Sequence, residues 1–167
     1  TLSSGTNNGL SSVYFADNQV GWIVGNRGIL KTTDGGENWF SLSSVSSHSV
    51  YFTNNETGWI VGGGRIMKTT DGGENWITQY NNGTPVGFRS IYFTDNQTGW
   101  AVGDLGAILH TTNSGENWYL QRSGTTKSLH SVYFIDDQTG WTVGDLGTIL
   151  HTTNGGVTFV EEEENNF

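Results

Sequence analysis

The side chains whose types and spacing could do chemistry recur at fixed intervals along the 167 residues. Asp34 and Asp71 stand third in an octet that runs from Thr32 to Trp39 and again from Thr69 to Trp76. Asn113 and Asn154 hold that position in Thr111 to Trp118 and in a weaker copy, Thr152 to Phe159. Carboxylates in a glycine-rich turn invite a cation, but Asn keeps only the acceptor oxygen and loses the charge on which such a site depends. A turn tolerates the exchange. Asp34, Asp71, Asn113 and Asn154 are therefore expected to accept hydrogen bonds from their own turns, with the glycine two residues on at positive φ and no metal or other cofactor held. Trp39, Trp76 and Trp118, closing the octets, are expected to anchor the returning strand.

Asp104 and Asp145 form a second repeated pair, each within Gly-Asp-Leu-Gly. Glycoside hydrolysis needs two carboxylates facing one bond, ~5–9.5 Å apart. Equivalent residues of a repeat more often serve their own loop, so the competing hydrolase reading is the weaker one. His48, Arg89 and His130 share one repeat position, with Ser11 as the first equivalent. Together they suit a ring of polar groups able to bind an anion or a partner's carboxylate, or simply solvated. Two histidines alone do not make a metal site. Arg27 and Arg65 lie in corresponding loops at different positions. His110 and His151 replace Lys31 and Lys68, which reads as a surface position with relaxed demands.

The elements that must position these residues repeat as well. Ser12-Val13-Tyr14-Phe15 returns at Ser49, Ser90 and Ser131, and Gly21-Trp22 returns at Gly58, Gly99 and Gly140, giving periods of 37, 41 and 41 residues. Each unit divides into four strands. They are the Ser-Val-Tyr-Phe run, Gly-Trp-x-Val-Gly, the Ile-Leu-Lys-Thr run, and a strand opening at the octet's Trp. A period near 40 built wholly of strand-like pieces belongs to propeller blades. The fold class expected is all-β, a propeller of four-stranded antiparallel blades, four in this chain, with Val13, Trp22, Ile29, Trp39 and their equivalents packed. The in-register Trp22, Trp59, Trp100 and Trp141 read as packing between blades. Phe40, Tyr80, Phe88 and Tyr119 depart more from the repeat and are expected to face a partner.

The octet resembles the Asp-box of bacterial-neuraminidase-type (BNR) repeats. The whole unit, Gly-Trp-x-Val-Gly to Asp-Gly-Gly-Glu-Asn-Trp, resembles the repeat of the Ycf48-like photosystem II assembly factors and their bacterial relatives, from about Leu10 to Phe159. The resemblance implies the propeller fold. It leaves function open, because sialidases, xyloglucanases, sorting receptors and assembly factors share such repeats. A sialidase would need an arginine triad, and Arg27, Arg65, Arg89 and Arg122 are scattered over different strands and loops. The expected function is a non-enzymatic scaffold that binds a protein or a glycan. The alternative is a polysaccharide-active hydrolase or carbohydrate-binding module of the same architecture.

Composition narrows the partners further. A net charge of −9 with only seven Lys and Arg provides no basic stripe for nucleic acid. The chain has no cysteine, hence no disulfide and no thiolate site, and no apolar run near the ~18 residues of a membrane span. An exported location is expected, periplasmic, cell-surface or extracellular. Residues 1–160 are read as a four-blade propeller or half of a larger one, and 161–167 as an acidic tail. Four such blades in an open arc would leave apolar faces at both ends, so the ring is expected to be completed either by missing parts of a longer chain or by a head-to-tail homodimer giving eight blades.

Overall fold

A computed structural model of the protein describes residues 5–81, 83, 86–158 and 160–161. Pro85, Phe159 and the acidic tail beyond Glu161 lie outside the described residues. Sixteen strands form four antiparallel sheets, each pairing its strands in sequence order. Blade one comprises β1 (Leu10–Phe15), β2 (Gly21–Gly25), β3 (Gly28–Thr32) and β4 (Phe40–Ser43). Blade two comprises β5 (Ser49–Phe52), β6 (Gly58–Gly62), β7 (Arg65–Thr69) and β8 (Ile77–Asn81). Blade three comprises β9 (Phe88–Phe93), β10 (Gly99–Gly103), β11 (Ile108–Thr111) and β12 (Tyr119–Gln121). Blade four comprises β13 (Leu129–Phe134), β14 (Gly140–Gly144), β15 (Ile149–Thr152) and β16 (Val160–Glu161). The chain divides into two compact units, Thr1–Gly87 with blades one and two, and Phe88–Phe167 with blades three and four. The repeat boundaries read from the sequence coincide with the sheets. The fourth strand, however, begins one residue after each octet Trp.

In the first unit the core forms where blade one meets blade two. Trp22, Val24 and Ile29 pack with Val50, Phe52 and Ile60. The indole of Trp22 lies flat on Phe52, with ring centroids 3.5 Å apart and planes within 8°, and Trp22 Nε1 donates to the Gly72 carbonyl at 2.9 Å. The second unit repeats the arrangement. Trp100, Val102 and Ile108 pack with Leu129, Val132 and Phe134, Trp100 stacks on Phe134 at 3.6 Å, and Trp100 Nε1 donates to the Gly155 carbonyl at 3.1 Å. Each fully buried indole thus combines a large apolar area with a satisfied N–H.

The opposite face of each of these indoles is covered from within its own sheet. Trp22 pairs across strands with Lys31 and Trp100 with His110. The Lys31 ammonium sits 5.6 Å from the Trp22 ring centre, and the His110 ring stacks at 4.8 Å on Trp100. The strand-three position read from sequence as a relaxed surface site is instead the second slice of an aromatic sandwich. Burial pushes the His110 pKa down, which favours the neutral ring.

The octets fold as expected, with Thr as an additional centre. Thr32, fully buried, donates from Oγ1 to Asp34 Oδ1 at 2.7 Å and accepts from Gly36 N at 2.9 Å. Asp34 in turn accepts from Asn38 N and Asn38 Nδ2. Gly36 lies at φ 89°, the left-handed region that glycine enters without a steric cost. In the third copy Thr111 Oγ1 reaches Asn113 Oδ1 at 3.0 Å and Asn117 N donates to the same oxygen at 2.9 Å. Asn thus preserves the acceptor geometry without the charge.

The charge has a measurable consequence. The Asn38 backbone N–H, the Asn38 side chain and Thr32 pull the Asp34 pKa down to about 2, and Asn75 and Thr69 do the same for Asp71. A carboxylate more acidic when folded than when unfolded contributes stability that is present above its unfolded pKa. That stability is lost as pH falls from about 4 towards 2. Urea unfolding of the Asp34→Asn/Asp71→Asn double variant is expected to depend less steeply on pH across this window than the parent chain. Parallel curves would show that these turns carry no linked proton.

Candidate functional site

The loops between the second and third strands differ between the two units. In the second unit Gly103 and Gly144 lead into short 3-10 turns, Asp104–Gly106 and Asp145–Gly147, where the sequence had suggested only a glycine-flanked loop. Each turn is closed by a backbone bond, Ala107 N to Asp104 O at 3.1 Å and Thr148 N to Asp145 O at 3.1 Å. The aspartate side chains are thereby free to reach the first strand of the same blade. Arg89 Nε donates to Asp104 Oδ1 at 2.6 Å, and His130 Nε2 lies 2.5 Å from Asp145 Oδ1. The two pairs are neighbours, since the turn Asp104–Gly106 packs against β13. The contact with His130 is the main cause that lowers the Asp145 pKa, and the charge of Arg89 contributes too.

Four candidates from the sequence therefore assemble into two equivalent acid–base pairs, Arg89 with Asp104 and His130 with Asp145. This changes the reading of the polar ring, because in this unit Arg89 and His130 each already face an aspartate. His48 and Arg65 occupy the first unit. They border a cleft of about 420 Å³ with Val45, Ile60 and Met67. Arg27 borders a separate cleft of about 260 Å³ that also touches Leu10 and Trp39. Neither loop of this unit contains an acid, since Asn26-Arg27 and Gly63-Gly64 stand where Asp104-Leu105 and Asp145-Leu146 stand later.

Phe88 does not face a partner. It is buried at the head of β9, paired across the sheet with Gly103. Phe40 and Tyr119 are exposed as expected, and Tyr80 is partly covered.

Sequence reasoning missed Leu105 and Leu146. Both are held at φ 56°, a left-handed conformation that costs a leucine of order 1 kcal/mol or more. Both are also turned to solvent, 65% and 83% exposed. An exposed apolar side chain thus stands at a conformational cost twice at the same repeat position. The duplicated Gly-Asp-Leu-Gly was the available signal. It drew attention to its aspartates, because nothing in a linear pattern reveals the sign of φ at the next residue.

Comparison with known proteins agrees with this architecture. The sequence model of the family described as photosynthesis system II assembly factor YCF48 matches residues 42–124. Over those residues, just under half of the chain, the repeats are similar to those of that family. Among solved structures it is similar to YCF48 bound to a D1 peptide, at 20% identity and TM-score 0.61, over 94% of this chain and 83% of that one. It is also similar to YCF48 from Cyanidioschyzon merolae, at 22% identity and TM-score 0.75, covering 96% of this chain but 58% of that one. An ancestral GH74 enzyme superposes at TM-score 0.80 and 18% identity, covering 99% of this chain and 25% of the enzyme. At these identities the structural likeness establishes the fold. No curated protein matches the sequence significantly. Among the described residues no helix is long and apolar enough to cross a membrane.

Proposed function

We propose that this Ycf48-like chain is a non-enzymatic scaffold that binds a protein partner, a peptide segment of which docks on the paired turns of the second unit. The observation that carries the reading is the display of Leu105 and Leu146 to solvent in a strained backbone. Each follows the aspartate of a polar pair, Arg89–Asp104 or His130–Asp145. Apolar knobs flanked by polar groups that can exchange partners suit a peptide, whose side chains need hydrophobic contact and whose backbone and termini need donors and acceptors. The YCF48 structure with a D1 peptide supports the reading by example, since that propeller holds a peptide. The GH74 likeness is one of fold, and Asp104 and Asp145 are engaged by Arg89 and His130 of their own blades.

Selection of phage-displayed random peptides on the immobilised chain is the direct experiment. Leu105→Ala and Leu146→Ala leave the core untouched, because both side chains are exposed. Each is expected to weaken the selected peptides by about tenfold, the effect of ~1.4 kcal/mol at a contact residue. Peptides that bind the double variant as well as the parent would rule the surface out. Turnover of chromogenic glycosides, abolished by Asp104→Ala or Asp145→Ala, would replace the scaffold reading with an enzymatic one.

A further inference from the structure

Blade two opens differently from the other three. Two places before the Ser of the repeated first strand stand Leu10, Phe88 and Leu129 in blades one, three and four, and each begins a strand of six residues. In blade two that residue is Ser47, and β5 begins only at Ser49, with four residues. The position is nevertheless an interior one. Ser47 is 1% exposed, and at the corresponding junction of the second unit Leu129 packs with Trp100, Ile108 and Val132 in the core. The period across the junction of blades one and two is also the short one, 37 residues rather than 41.

With a serine in place of the leucine and a shorter connection, this junction keeps the cleft of about 420 Å³. Such a volume lies in the range of small-molecule sites, roughly 300–1,000 Å³. Its lining is of two kinds. Val45, Ile60 and Met67, which also pack around the Trp22 cluster, are apolar. His48 and Arg65 line the same cleft and are exposed, Arg65 on the face of β7 that carries Met67. Among the described residues no carboxylate pairs with Arg65. The second unit shows how this part of the repeat receives an acid, since His130, the equivalent of His48, lies 2.5 Å from Asp145 Oδ1. Blade two has Gly63 in the loop where Asp145 stands, so its own loop supplies no such carboxylate.

We infer that this cleft binds a small monocarboxylate with an apolar body, a short aliphatic or aryl acid. Its carboxylate takes at Arg65 and His48 the place that Asp145 takes at His130. Its hydrocarbon lies among Val45, Ile60 and Met67, in the space that the leucine side chain fills at the other junction. A guanidinium suits the charged end, because its planar fork donates to both carboxylate oxygens. Removal of the hydrocarbon from water supplies the remaining affinity. The site lies wholly within the first unit and does not depend on the display of Leu105 and Leu146 in the second.

Hexanoate is the probe, with hexanamide as its uncharged counterpart, titrated into the full chain and followed by proton–nitrogen correlation spectra. Hexanoate is expected to shift the amide resonances of Ser47, Gly62, Gly63 and Arg65 saturably, while those of residues 88–158 stay in place. Hexanamide is expected to bind at least about tenfold more weakly, the factor carried by one charge-assisted hydrogen bond. Arg65→Gln alters an exposed side chain and is expected to bring hexanoate down to the level of hexanamide without changing the latter. Ser47→Leu restores the side chain of blade four and is expected to abolish binding of both. Should that variant misfold, seen as resonances displaced throughout the spectrum, Arg65→Gln and the amide still decide. The absence of saturable shifts with hexanoate would overturn the inference. So would equal affinity for acid and amide, or hexanoate binding that Arg65→Gln leaves unchanged.

Discussion

Truncation of Phe134 to Ala is expected to lower the unfolding free energy by about 3–5 kcal/mol, the range for removing a fully buried aromatic ring. Phe134 is 1% exposed, and its ring covers the indole of Trp100 at 3.6 Å with planes 9° apart. Nothing nearby can collapse into the space, because Trp100 is held on its far side by His110 and at its N–H by the Gly155 carbonyl. Urea titration followed by tryptophan fluorescence measures the loss. Phe15→Ala provides the internal comparison. The same substitution at a 40% exposed ring is expected to cost less than half as much, since less apolar area returns to water. Equal losses at the two positions would mean that the stack between blades is not what stabilises the repeat.

The second large effect is expected from the smallest change, Gly58→Ala. Gly58 faces Phe52 across β5 and β6, and a Cβ at this position would lie 2.5 Å from the ring atoms of Phe52. The ring cannot step aside without leaving Trp22, on which it is stacked. Overpacking of this kind costs about 1–3 kcal/mol. In a Phe52→Leu background the shorter side chain leaves room for the methyl, so the penalty for Gly58→Ala is expected to shrink and the two substitutions to couple. Additive losses would indicate that Gly58 is required for backbone reasons alone. Gly21, Gly99 and Gly140 face Phe15, Phe93 and Phe134 in the same way, which explains physically why Gly precedes Trp in every repeat.

The period of 37 to 41 residues, the alternation within each strand and the octet turns together made the four sheets and their strand order legible before any coordinates. Each is a local property. A strand's two faces follow from a two-residue period, and a Thr-x-Asp turn closes with bonds between residues at most four apart. The exchange of Asp for Asn was legible for the same reason, since an acceptor oxygen within one turn is indifferent to charge.

What the linear pattern did not contain was the environment that neighbouring blades create. Val13 belongs to the packed layer by its pattern, yet it is exposed, whereas Val50 and Val132 pack against the preceding blade of their own unit. Phe88 departs from the repeat, yet it is buried. His110 looked like a relaxed substitution of Lys31 and proved to share its place against an indole. The candidate site divides along the same line. Its types and repeat positions, Arg89, His130, Asp104 and Asp145, were present in the sequence, whereas their pairing arose only when the 3-10 turns brought each aspartate back to the first strand of its blade. The display of Leu105 and Leu146 was likewise decided by backbone dihedrals. Sequence by itself determined the repeating sheet and its turns, because these follow from interactions within a few residues. Tertiary structure decided which apolar residues are covered and which polar ones meet, because burial and ion pairing depend on partners distant along the chain.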